Sequence, residues 1–171
     1  MNKPKLYILI GVPGSGKSSW VANQMFDWNR TVVASSDGHI ERHAKSIGKT
    51  YNDVFKDYAP KAMKLMNADV SDAVAKGYDI IWDQTNTSVK TRSVKLKAVP
   101  DTYEKIAVMF MTPEDKEHAR RLASRPGKHI PDEVVAKMKA QLEIPTEKEG
   151  FDNIIFVDNK SGIKCHRKLK H

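Results

Sequence analysis

The chain has 171 residues, 40% of them hydrophobic and 29% charged, with a formal charge of +8 from 29 basic and 21 acidic residues. That is enough chain for one domain with a full core, and no apolar run approaches the roughly 18 residues of a membrane span. Cys165 is the only cysteine, which excludes an intrachain disulfide framework and a cysteine metal cage, so a reducing, cytoplasmic setting is expected. The excess of positive charge suggests an anionic partner, nucleic acid being the obvious one.

In chain order, the first β-type run is Lys5–Ile10, KLYILI. Its apolar stretch is too short for a signal peptide and runs straight into a glycine loop. A helix is expected over Ser18–Trp28, a strand over Thr31–Ala34, a helix over Val54–Lys76 and a strand over Tyr78–Trp82. A helix at Val89–Leu96, a strand at Lys105–Phe110, helices at Pro113–Ala123 and Asp132–Leu142, and a strand at Asn153–Val157 complete the series. Most of these strands are continuously apolar rather than alternating, which predicts burial on both faces in a parallel sheet. Strand alternating with helix predicts a doubly wound α/β fold whose ligands bind at the carboxyl ends of the strands. The expected architecture is an α/β sheet of about five mainly parallel strands, with helices on both faces. Residues 1–159 form the expected domain, and the basic residues 160–171 a solvated tail.

The stretch GVPGSGKSS, residues 11–19, fits G-x-x-x-x-G-K-[ST] and lies between a strand and a helix, the context in which this pattern cradles phosphates. Glycines let backbone N–H groups turn inward as an anion nest, and the helix start adds its positive dipole end. Gly14, Ser15, Gly16, Lys17, Ser18 and Ser19 are therefore candidate nucleotide ligands. Lys17 is expected on the β- and γ-phosphates and the Ser18 hydroxyl on Mg²⁺. The GTPase base-reading N-K-x-D is absent, since Asn159-Lys160 is followed by Ser161-Gly162.

Three further stretches bear on what happens to the phosphate. Asp37 follows the second strand in VVASSDGHIER, as a general base for an attacking hydroxyl or as a helix N-cap. Asp83 closes the third strand in IIWDQTNTS, where a buried carboxylate needs a partner. It reads either as a holder of the Mg²⁺ water shell or as a turn former. Thr85 and Asn86 offer neutral hydrogen-bonding groups to an acceptor. Arg121 and Arg125, four apart, share a helix face, and the helix should stop at Pro126-Gly127. There Arg125 is placed to cover the transferring phosphoryl group, whereas Arg120 points about 100° away. Lys90, Arg92, Lys95 and Lys97 read as a strand-binding channel or as a solvated helix face. Tyr51, Phe55 and Tyr58 read as a base-stacking surface or as core.

The loop GVPGSGKSSW, the aspartate of SSD, DQTN after the third strand and R-x-x-x-R-P-G-K-H-I-P together resemble the polynucleotide 5′-kinase family of P-loop kinases, nearest its bacteriophage kinase–phosphatase members. The resemblance spans roughly residues 5–142. It implies a P-loop NTPase/kinase fold with an arginine-bearing lid, and transfer of the γ-phosphate of ATP, with Mg²⁺, to the 5′-hydroxyl of DNA or RNA. Lys17 and Ser18 would serve the donor phosphates and metal, Asp37 the 5′-hydroxyl, Arg125 and Arg121 the donor phosphates, and Thr85 the acceptor nucleotide. The family's phage member has an acceptor-binding arginine three residues after the catalytic aspartate. This chain has Ile40 there, with Arg42 as the nearest substitute. No D-x-D-G-T signature is present, so a 3′-phosphatase domain is not expected. The same loop, base and lid would also suit a kinase of a small hydroxylated metabolite or nucleoside.

Overall fold

The structure is a computed structural model, and it describes residues 2–158 together with the backbone of residues 163–168. Six strands form one sheet: β1 (Lys5–Ile10), β2 (Thr31–Ala34), β3 (Asp79–Trp82), β4 (Glu104–Phe110), β5 (Asn153–Asp158) and β6 (Ile163–Lys168). Their spatial order is β2-β3-β1-β4-β5-β6. The first five in space are parallel, and β6 pairs antiparallel with β5 on the edge. The tail expected at 160–171 thus contains an edge strand, and its remaining residues lie outside those described.

Alternation along β1 divides the core. Leu6, Ile8 and Ile10 pack with Ile80, Trp82, Met66, Val70 and Phe151 on one face. Leu9 packs with Trp20, Ile81, Val108 and Phe110 on the other. Both faces are covered, which is why the strands read as apolar runs without alternation.

The helices are α1 (Lys17–Asn23), α2 (Ser36–Ser46), α3 (Tyr51–Lys76), α4 (Val89–Ala98), α5 (Asp115–Ala123) and α6 (Asp132–Gln141), with a 3₁₀ turn at Glu147–Glu149. Helix α1 stops five residues short of the expected Trp28. Gln24 is extended, and Asp27 closes a turn by accepting from Asn29 N through its side chain (3.1 Å) and from Arg30 N through its carbonyl (3.0 Å). Helix α2 is absent from the predicted series, although the cap reading of Asp37 implied a helix at this point. Its buried positions are only Ile40 and Ala44, too few to stand out as a period, and they pack on Val54 and Ala62 of α3. Helix α3 begins with a reciprocal capping box between Thr50 and Asp53.

Register brings the chemistry to one edge. Ala34, Trp82 and Ile10 end adjacent strands, Asp83 N donates to Ala34 O (2.8 Å), and Gly11 N donates to Thr85 O (2.9 Å). The glycine loop, the start of α2 and the loop after β3 therefore meet at the carboxyl end of the sheet, beside β1, where the chain's strand order reverses.

Candidate active site

The glycine loop runs from Gly11 to Gly16, and Gly16 caps α1 without a side-chain hydrogen bond. The first-turn N–H groups of α1 are thus not taken by a capping side chain. Gly14 sits at φ 77°, and a Cβ there would come within 3.2 Å of His118 and 3.3 Å of Leu122. The close approach matters because α5 packs on the loop: buried His118 donates from Nε2 to Pro13 O (2.6 Å), and Arg121 Nη1 to Gly14 O (3.3 Å). Lys17 Nζ donates back to Gly11 O (2.8 Å) and Val12 O (3.0 Å). Burial lowers its pKa to about 8, with Arg125 and Lys128 acting in the same sense and Asp83 and Asp37 opposing.

Asp83 lies just past the end of β3. Burial raises its pKa, with nearby Asp37 and Glu41 in the same sense, while Lys17 and Lys128 oppose. Among the described residues no hydrogen bond reaches its carboxylate, a costly state for a half-buried charge. That is the environment a cation would relieve. Among the described residues no cluster of three or more His, Cys, Asp or Glu side chains forms a metal cage. The Asp83 carboxylate in that state fits Mg²⁺, which is commonly held by one or two protein oxygens plus phosphate oxygens.

Asp37 is in the first turn of α2 but does not cap it. Ser35 does, accepting from Gly38 N (3.0 Å). The Asp37 carboxylate accepts from Tyr51 Oη (2.7 Å) and from Lys128 Nζ (2.9 Å). Lys128 also reaches Glu41 (3.1 Å) and lies 4.3 Å from the centre of the Tyr51 ring. Burial pushes the Asp37 carboxyl up, but Lys128, the Tyr51 hydroxyl and Arg125 outweigh it and hold it below the ordinary value. Arg125 Nη1 is buried with no hydrogen-bond partner among the described residues. Its charge registers at both Lys17 and Asp37.

Lys17, Asp37, Asp83 and Arg125 therefore occupy one electrostatic neighbourhood. Other anticipated residues are placed differently. Asn86 is buried, not turned toward an acceptor: its Nδ2 donates to Leu9 O (2.7 Å), Trp82 O (3.4 Å) and Gln84 O (3.3 Å), and its Oδ1 accepts from Lys95 Nζ. Its substrate role falls because every polar side-chain atom is engaged. Thr85 contributes its carbonyl to Gly11. Ile40 faces the α2–α3 core, while Arg42 is exposed and donates to His39 (3.2 Å) one turn from Gly38. The channel reading of α4 loses Arg92 and Lys95, which are both buried. Tyr58 stacks on His43 at 3.8 Å, and Phe55 is exposed beside Tyr51.

Lys128 was missed as a functional candidate. In sequence it is one lysine in a loop, and only the folded contact with Asp37, 91 residues away, reveals it.

The fold and this edge define an α/β protein of the P-loop kinase-like class. The family model described as AAA domain matches residues 6–145, and the chain belongs to that family. Among solved structures, a chain of the Pnkp1/Rnl/Hen1 RNA repair complex is similar at a TM-score of 0.64 and 23% identity, over 100% of this chain and 50% of that one. A kinase candidate from Chloroflexus aurantiacus matches at 0.65 and 16% identity, over 95% and 90%. A chain of the PezAT chromosomal toxin–antitoxin system of Streptococcus pneumoniae matches at 0.60 and 18%, over 92% and 70%. This chain thus spans half the length of the repair-complex protein it resembles.

Proposed function

We propose that the chain is an ATP-dependent, Mg²⁺-dependent polynucleotide 5′-kinase that transfers the γ-phosphate to the 5′-hydroxyl of DNA or RNA. The observation that carries this reading is the meeting of Asp37, Asp83 and Arg125 around Lys17 at the mouth of the phosphate loop. Phosphoryl transfer asks a protein for positioning and charge neutralisation, and this set supplies both.

Asp37, held as a carboxylate, accepts the proton of the acceptor hydroxyl. The freed oxygen forms its bond to the γ-phosphorus as the bond to the β-phosphate oxygen breaks, leaving ADP. Lys17, Arg125 and Arg121 neutralise the charge that develops on the phosphates. Ser18 and Asp83 would hold Mg²⁺, which would offset the charge of the phosphates. Arg42, exposed five residues after Asp37 on α2, is available to an anionic acceptor. A polymer acceptor accords with the +8 charge and with the likeness to a protein of an RNA repair complex.

The test is γ-labelled ATP with 5′-hydroxyl DNA and RNA oligonucleotides and a 5′-phosphorylated control. Label should enter only the 5′-hydroxyl strands and should be lost in Lys17→Ala and Asp37→Asn. Apparent affinity for the strand should fall steeply with salt. Bound ATP with transfer only to small alcohols, and a flat salt response, would replace the polymer reading with that of a metabolite kinase.

A further inference from the structure

The segment joining α5 to α6 carries two cations to the same place. Arg125 lies within the field of the phosphate loop. Three residues on, Lys128 is only 9% exposed, although lysine is among the residues least often buried. Its Nζ sits between Asp37, Glu41 and the face of the Tyr51 ring.

What holds Lys128 there is a dock on the first turn of α3. Asn52 N donates to Gly127 O (3.1 Å), Asn52 Nδ2 to His129 O (3.1 Å), and His129 N donates to Asn52 Oδ1 (2.8 Å). These bonds bracket Lys128 on both sides in sequence. None of them touches Asp37.

We propose that Lys128 is a positioning residue that couples docking of the 124–131 segment to the readiness of Asp37, so that one movement both brings Arg125 to the phosphate loop and holds the base charged and oriented. The inference rests on reading Asp37 as the base. With the segment docked, the carboxylate is fixed between Lys128 and the Tyr51 hydroxyl. With the segment undocked, it keeps Tyr51 and loses its cation. Burial disfavours the charged carboxylate, and Lys128 is the largest influence acting against that. The other titratable and charged groups near it are Arg125 from the same segment, Lys17 from α1, Asp83 after β3 and Glu41, which shares Lys128; further along α2, Arg42 donates to His39. Tyr51, the hydroxyl on α3, has its own pKa raised and stays a donor.

The test needs no acceptor to begin with. The Asp37 side-chain carboxyl carbon is titrated by NMR in the whole chain, for wild type, Lys128→Met, Lys128→Arg, Asn52→Ala and the Asn52→Ala/Lys128→Met double variant. Lys128→Met and Asn52→Ala should both move the Asp37 titration to higher pH, Lys128→Arg should restore it, and the double variant should move it no further than Lys128→Met alone. The acid limb of kcat/KM for a 5′-hydroxyl oligonucleotide should shift in the same order, with kcat/KM at mildly acid pH falling about 10- to 100-fold in Lys128→Met. An Asp37 titration unmoved by Lys128→Met, or untouched by Asn52→Ala, overturns the coupling. Asp37→Asn separates the two readings. If it keeps near-normal turnover, both the base and the coupling fall. If it is inactive while Lys128→Met leaves the acid limb in place, only the coupling falls.

Discussion

Two polar clusters sit on either side of the loop that follows β3, and they use similar charges to different ends. In the inner one, Arg92 is fully buried and forms a two-pronged pair with Glu149 (2.8 and 3.1 Å). It spends its remaining nitrogen on the carbonyls of Asn86, Thr87 and Glu143. In the outer one, Lys128 is buried, but the carboxylates it joins are open, Asp37 with half its side chain exposed and Glu41 slightly more. A buried cation whose carboxylate is sealed with it can only hold the scaffold. A cation whose carboxylate keeps access to water leaves that carboxylate free to meet a substrate.

The largest expected effect breaks the scaffold side. Arg92→Ala leaves the nearly sealed Glu149 carboxylate and the buried Asn86 carbonyl without that donor, a loss of about 3–5 kcal/mol. In a chain of this size that is a melting-temperature fall of roughly 10 °C or more. Lys128→Met should cost no more than about 1 kcal/mol, because water can solvate both of its carboxylates. Urea unfolding of the two variants checks this, and equal losses would erase the distinction between the clusters.

How much of this contrast could be read from residues alone follows from the same physics. The glycine loop, Asp37 and Asp83 stand at the ends of short apolar strands, and a parallel sheet brings such ends together whatever its details. Arg92 and Lys95 offered no such signal. They lie on a helix with a weak apolar stripe, and their partners Glu149 and Asn86 stand 57 and 9 residues away. Basic residues on such a helix look solvated until the fold closes over them. Asn86 misled for the opposite reason. It adjoins the site in sequence, but at φ 48° its backbone turns it inward to tie β1 to β3. Helix α2 hid because Gly38 and a run of polar residues leave only two apolar anchors.

The next effect sharpens the contrast through pH. Lys95 lies 5.4 Å from the centre of the Trp82 ring, donates to Asn86 and has no carboxylate partner among the described residues, and burial lowers its pKa from 10.5 to about 8. Between those values the unfolded chain binds a proton that the folded chain has released, so stability rises with pH. Lys17, also lowered to about 8, acts in the same direction. Above pH 10 the sign reverses, because Tyr7, pushed up to about 12 chiefly by burial, keeps its proton only when folded. Unfolding free energy should therefore climb between pH 8 and 10, by at most about 1.4 kcal/mol per pH unit for each lysine. Lys95→Met should remove its share of the slope. The outer cluster speaks at the acid end instead: the lowered Asp37 contributes stability that is present above its unfolded pKa and is lost as pH falls through the folded one. Lys128→Met should weaken that acid loss and leave the alkaline rise in place.

The smallest effect on stability falls on the hinge of the outer cluster. Gly127 has φ 66°, and a Cβ there would stand 2.8 Å from Thr50 Cβ and 3.0 Å from Thr50 Cγ2. Gly127→Ala therefore meets two obstacles, a left-handed backbone that costs an L-residue about 1 kcal/mol or more, and a clash with a residue that also caps α3. The segment has a way out, because it is exposed on both sides of Lys128 and can lift from α3 by giving up its bonds to Asn52. The loss of global stability should then stay near 1 kcal/mol, while the Lys128–Asp37 pair opens and phosphoryl transfer drops well beyond what that loss accounts for. Thr50→Gly in the same chain removes the clash and should return part of the transfer despite forfeiting the cap. ATP affinity should fall far less than transfer, because the glycine loop and Lys17 are untouched. If Gly127→Ala instead lowers ATP affinity as much as it lowers transfer, the segment serves the donor alone, and the outer cluster is not the link between lid and base.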